Sequence, residues 1–252
     1  MELLMQKIVI KQLTGILLIL SVQTSISAPV EISSGLGSSG QILPSPPSSW
    51  TFSPAAVGGT NAYKTNLLTG HEGASATLSY ISNALTGVVS VGSVAFNLPV
   101  KAMTYDSADQ SLLSHELQGS IRIAGPLISN VFVTGGELTL SNIRIDHASK
   151  VIYATVRGAN GVGTQENVAF WTYQSASGGR ILSNGRIKVV LRKLQLTQSG
   201  FNSWSRSLGF QGNGPASLAT INNSSGAWGS MTLTANVTGI PNLPNDPICA
   251  IP

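Results

Sequence analysis

Met231-Thr232-Leu233-Thr234-Ala235-Asn236-Val237 is apolar at every odd position and polar at every even one. Successive side chains of an extended chain point to opposite faces, so this period of two predicts a half-buried strand. The same grammar recurs along the chain. Val88 to Leu98 keeps Val88, Val94, Phe96 and Leu98 in one register, with Gly92 marking a bulge or a close backbone approach. Asn167 to Tyr173 forms another strand, in which Phe170, Trp171 and Tyr173 supply bulk.

Glu137 to Ile145 and Val151 to Arg157 are β-rich runs joined by Asp146-His147-Ala148-Ser149-Lys150, which predicts a hairpin. In its first arm Leu138 and Leu140 share one parity, and Ile143 and Ile145 share the other. A one-residue slip turns every side chain to the opposite face, so this requires a bulge near Ser141-Asn142 or a change in the buried face. Ile187 to Leu196 changes parity in the same way across Arg192-Lys193. Two such switches suit long strands that turn corners between layers. Phe201, Trp204 and Leu208 are spaced as a helical stripe with Gly209 as its stop, and Pro215 opens a second short helix. The expected fold is all-β, an antiparallel β-sandwich or related two-sheet fold with one or two short helices.

This β domain is expected over residues 61–239, with flanks of different composition. Residues 29–60 hold Ser33-Ser34-Gly35, Ser38-Ser39-Gly40 and Pro44-Ser45-Pro46-Pro47, which predicts a flexible leader. Residues 240–252 form a tail broken by Pro241, Pro244, Pro247 and Pro252. Residues 1–28 have the pattern of a secretory signal peptide: Lys7 and Lys11, an apolar run from Leu13 to Val22, then Ser25-Ile26-Ser27-Ala28. That run is shorter than the roughly 20 residues a spanning helix needs. No cysteine follows it and no apolar tail closes the chain, so a secreted protein without a membrane anchor is expected, extracellular or periplasmic. Aromatic residues make up 6% of the chain, too few for the two girdles of a transmembrane barrel.

Gly135 to Asp146, Lys150 to Ala154, Gly158 to Gly163 and Phe201 to Leu208 together resemble a set of uncharacterised secreted bacterial proteins. Some relatives of that set carry a PEP-CTERM sorting tail. This chain lacks the Pro-Glu-Pro motif, apolar helix and basic end of such a tail, so anchoring through one is not implied. The resemblance implies a bacterial source and export, and supplies neither an activity nor functional residues.

Charge and composition exclude more than they assign. Without Glu2, Lys7 and Lys11 the chain holds 12 basic and 9 acidic residues, and only Arg180 to Lys193 concentrates cations. Those cations fit the wetted face of a strand, so no nucleic acid is expected as a partner. Cys249 stands alone and can close no intramolecular bridge. His71, His115 and His147 occur without metal-ligand spacing and are expected in solvent-facing loops, so no metal and no cofactor are predicted.

Gly-x-Ser-x-Gly and Ser-x-x-Lys are missing from residues 29–252, and Asp106 and Asp109 look like turn residues that bond local backbone. The six acids open to a glycosidase are Asp106, Asp109, Glu116, Glu137, Asp146 and Glu166. Gly158 to Gly163 has a phosphate-loop look without its Gly-Lys-Ser/Thr ending, and is expected as a flexible turn. No catalytic residue is assigned. Trp50 and Trp228 are the candidate ligand-binding residues, because exposed aromatic faces stack on sugars, whereas Trp171 and Trp204 fit core positions. The expected function is that of an exported, non-enzymatic protein, structural or matrix-associated. A secreted carbohydrate-binding module and a secreted hydrolase are the alternatives, and extracellular glycan or envelope components the expected partners.

Overall fold

The alternating stretch is the last strand of a single large sheet. The structure, a computed structural model, describes residues 28–33, 40–65, 67–128 and 133–240. Residues 1–27 with the expected signal peptide, and 241–252 with the expected tail and Cys249, lie outside them. Fourteen strands are β1 (Pro29–Ser33), β2 (Gln41–Leu43), β3 (Ser48–Thr51), β4 (Leu67–His71), β5 (Ser75–Ser82), β6 (Val89–Leu98), β7 (Val100–Asp106), β8 (Leu112–Leu117), β9 (Ser120–Gly125), β10 (Gly136–Asp146), β11 (Val151–Gly158), β12 (Gly163–Gly178), β13 (Arg186–Leu196) and β14 (Ser230–Thr238). Three helices are α1 (Pro54–Ala62), α2 (Gln198–Ser207) and α3 (Gly214–Asn223). The protein is all-β, as its periodicity predicts, with one helix more than expected.

The sheet runs β13-β12-β11-β10-β8-β7-β1-β2-β14, and β13 also pairs with β14, so these strands close into a ring. Every pairing is antiparallel except the single register of β1 with β2, Ser33 beside Gln41. Two long strands make the sheet fork. Along one flank of β10 lie β9, against residues 136–141, and β8, against residues 144–146. Along one flank of β14 lie β3 at its start and β2 at its end. One half of each long strand thus belongs to the ring, while the other half carries a wing, β9-β4 or β3-β6-β5.

The parity switches are where the fork is made. In β10 the register with β11 shifts between Ser141 and Arg144, and Asn142 takes a left-handed backbone at φ 48°. In β13 Lys193 does so at φ 56°, just beyond the last pair with β14, Arg192 beside Ser230. Gly92 is the extra residue of a bulge in β6, between the pairs Ser79–Ser93 and Tyr80–Val91. Phe170 is likewise extra in β12, between partners of Ile152 and Tyr153, which is why adjacent Phe170 and Trp171 are both buried.

Residues 29–33 and 40–60 are not the flexible leader their composition predicts. They supply β1, β2, β3 and α1, since each short strand borrows backbone partners from a distant one: β1 from β7, and β2 and β3 from β14. Pro44 to Pro47 spaces β2 from β3 along the same flank, where proline's missing N–H is tolerated. Local composition reports local entropy and is blind to such pairing.

Helix α2 starts where Thr197 Oγ accepts the Gly200 N–H at 3.0 Å and donates to the Ala169 carbonyl. Thr197→Ala leaves both groups unmet and is expected to destabilise the protein by about 1–2 kcal/mol, read by urea unfolding. Thr197→Ser should restore most of it; an alanine variant with the parent midpoint would contradict the cap. At the other end of α2 the glycine-rich turn 159–162 is docked. Asn160 Nδ2 lies 2.9–3.1 Å from the carbonyl oxygens of Gly135, Arg206 and Ser207, so this turn caps the end of the helix.

Candidate functional site

Trp50 and Trp228 do not form a binding platform. Trp50 ends the alternation Ser48-Ser49-Trp50 on the inner face of β3, and the left-handed Gly229 lets Trp228 turn inward before β14. All four tryptophans are between 1% and 3% exposed. They join two phenylalanines in a closed circuit: Trp50–Trp171 at 4.7 Å, Trp171–Phe170 at 4.4 Å, Phe170–Trp204 at 6.3 Å, Trp204–Trp228 at 4.5 Å, Trp228–Phe52 at 6.2 Å and Phe52–Trp50 at 4.8 Å. Trp50 Nε1 also donates to the Trp228 carbonyl at 3.3 Å. Beside the circuit, among Phe52, Ile123, Trp204, Leu218 and Trp228, the free space is about 10 Å³. That is about what a single water needs, so no room for a sugar is left beside the circuit. Core packing explains these residues, and the sugar-stacking role expected of Trp50 and Trp228 is withdrawn.

The three histidines do not all sit in the solvent-facing loops that their sequence context predicts. His71 is exposed and bonds Thr69 Oγ through Nε2 at 3.0 Å, as a surface residue should. His115 is fully buried on β8, paired with Met103 and Ile145, because alternation turns it inward with Leu117 while Glu116 faces out. Its Nδ1 lies 2.8 Å from His147 Nε2, and His147 Nδ1 lies 3.0 Å from the Tyr173 hydroxyl. Two strands, β8 and β12, and the β10–β11 turn are thereby tied together. Burial pushes His115 down to about 3, helped by the neighbouring His147. Burial also takes His147 down to about 4, against the pull of Asp146. Tyr173 is pushed up to about 12 by burial, then by Asp146. All three are neutral at neutral pH, and His115 Nε2 has no hydrogen-bond partner among the described residues.

Among the described hydrogen bonds no serine touches an imidazole, and no group of three or more metal-ligating side chains is present among the described residues. Five of the six candidate carboxylates are engaged by neighbours. Asp106 accepts from the Ala108 N–H at 2.7 Å, Asp109 from Ser111 at 2.8 Å, and Asp146 from Ala148 and Ser149 at 3.0 and 3.1 Å, the turn role expected of the first two. Hydrogen bonds from Ser111 and Ser149 hold Asp109 and Asp146 below the usual carboxylate range. Glu137 pairs with Arg122, and Glu116 with Lys101 at 3.3 Å. Glu116 and Glu166 do line one open groove of about 400 Å³. Arg144, which shares it, lies 4.5 Å over the Tyr153 ring and reaches Asn167 at 3.5 Å.

What remains is a surface of unusual chemistry. From Gly73 to Val100, 28 consecutive residues contain no Asp, Glu, Lys or Arg. They form the β5–β6 hairpin, whose outer half is exposed: Tyr80 61%, Ile81 60%, Leu85 96%, Val88 60% and Val89 63%. The arm is well braced. At its tip Asn83 Oδ1 accepts from Leu85 and Thr86, and the Gly87 N–H returns to the Asn83 carbonyl at 2.8 Å. In its outer half, where Val91 pairs with Tyr80, the Asn61 side chain from α1 bonds the Val91 carbonyl and N–H at 2.9 and 2.8 Å. Sequence reasoning read Val88 to Leu98 as a strand but did not weigh the missing charges, which were plain to count.

No family model matches the chain, and no curated protein matches it. Two solved structures share part of its course. One is the haem-binding protein HtaB of Corynebacterium glutamicum, 12% identical, with 84% of this chain and 96% of that one covered at a TM-score of 0.37. The other is the N-terminal domain of HtaA from the same organism, 13% identical, covering 77% and 99% at a TM-score of 0.36. Likeness this low carries no ligand across. No helix among the described residues is long and apolar enough to cross a membrane.

Proposed function

We propose that this protein is exported and non-enzymatic, and that it serves as a structural or matrix-associated component held in place by association through its surface. The observation that carries this reading is the braced, uncharged β5–β6 arm with its exposed apolar outer half. Apolar surface of this kind is concentrated where proteins meet partners. The signal-like pattern of residues 1–28 supports export. The buried tryptophans remove the aromatic platform that a carbohydrate module needs, and the paired or turn-bound acids lend a hydrolase no support.

Expression of the full chain in a bacterial host, followed by fractionation and N-terminal sequencing, tests the reading. The expected product begins near Pro29 and is recovered with envelope or matrix material. Leu85→Asp combined with Val89→Asp should release it into the free fraction. An unprocessed chain in the cytoplasm, or a processed one that is free in the medium from the start, would overturn the proposal.

A further inference from the structure

Strand β5 ends the sheet: among the described residues it pairs with β6 and with no other strand. Natural edge strands are protected by charge, proline, bulges or a cover, because their open backbone is a template for another strand. Among the described residues β5 has none of these. Ser75 to Ser82 contains no charge, no proline and no glycine, and the bulge of this hairpin falls on β6 at Gly92, leaving β5 regular over eight residues. Its exposed end is apolar, with Tyr80 and Ile81 more than half open to solvent.

The chemistry of the edge selects the occupant. A lipid surface offers backbone N–H and C=O groups no partner, which makes an open sheet edge unfavourable in it. It also recruits proteins through Lys and Arg, which this arm lacks. The occupant must therefore bring a strand, and one that tolerates an apolar and neutral neighbour. A second copy of β5 meets both conditions. Residues directly opposite in an antiparallel pair share a face, so β5 can pair with itself only in registers that match residues of equal parity. In the register centred on Ser79, Leu78 lies beside Tyr80 of the second copy and Thr77 beside Ile81. Each exposed large side chain then gains a cross-strand neighbour, and no like charges meet.

We infer that two copies of this chain associate through β5, antiparallel about Ser79, joining their sheets edge to edge. This two-fold contact rests on the association reading above and names its first partner. The test is sedimentation equilibrium of the mature chain with two opposite variants. Parent protein is expected to dimerise at concentrations up to about 100 µM, the range of weak specific contacts. Ser79→Lys and Ser79→Asp each place like charges opposite one another and should weaken the dimer by about tenfold or more, with unchanged circular dichroism. An equimolar mixture of the two should dimerise again, which loss of folding could not produce. Parent protein that stays monomeric, a dimer indifferent to both variants, or a mixture that fails to recover would overturn the inference. So would a monomer that binds phosphatidylglycerol vesicles through the arm. Envelope association that persists in a monomeric parent would sink the pairing and spare the function reading, whereas a dimer free of envelope would do the reverse.

Discussion

Trp50→Ala is expected to lower the unfolding free energy by about 3–5 kcal/mol, the usual range for removing a large buried aromatic. Trp50 contacts Phe52 and Phe96 at 4.8 and 5.4 Å and Trp171 at 4.7 Å, so its loss opens the aromatic circuit and leaves three rings short of neighbours. The Trp228 carbonyl loses a buried donor as well. Relaxation cannot refill the site, because strands β3, β12 and β14 are fixed by their ladders. At about 2–4 °C per kcal/mol for a chain of this size, the midpoint of thermal unfolding should fall by roughly 10 °C. Calorimetry of the two proteins decides it. A variant with the parent midpoint would return Trp50 to the surface role first expected of it.

Acid should unfold this protein through two histidines, the buried His115 and the half-buried His147. Both are neutral in the folded state, His147 down to about pH 4 and His115 down to about 3, while in the unfolded chain each takes a proton near pH 6.5. Below pH 6.5 the unfolded chain therefore binds more protons than the folded one. Stability is fully present above that value and falls as the pH drops, by about 1.4 kcal/mol per pH unit for each histidine. By pH 4.5 the pair has removed about 5 kcal/mol, comparable with the whole stability of many domains. Asp109 and Asp146, held low by their turn hydrogen bonds, lose their contribution only at more acid pH, so the slope above 4.5 belongs to the imidazoles. Urea midpoints between pH 7 and 4.5 should fall steeply for the parent. The double variant His115→Gln, His147→Gln should give a nearly flat profile, even if it is less stable at neutral pH. A parent slope retained by that variant would contradict the assignment.

The hairpin of β10 and β11, the bulge at Asn142 and the helix at Phe201 to Leu208 were legible because their signals are local: period, turn residues, spacing. Strands β2 and β3 were not. Ser-Ser-Trp-Thr has no period long enough to measure, and it is a strand because β14 and β6 flank it. His115 was misjudged for a different reason. Its parity with Leu117 already placed it inside, but a His-Glu pair invites a polar reading of both residues when alternation sends one in and the other out. The uncharged arm was visible only as an absence, and patterns of what is present do not score it.

The seam that joins the two ends of the chain also sets an order of events. Thr234 bonds Ser48 across 186 residues, and every partner of β2 on β14 is as remote. A chain that leaves the ribosome, or threads a membrane, from its N-terminus delivers the first staves of the ring early and the closing stave last. Contacts so far apart in sequence form slowly, because a very long loop must close before they repay the lost entropy. Until β14 has emerged the ring has no closing strand, so the topology makes ring closure the last event of synthesis.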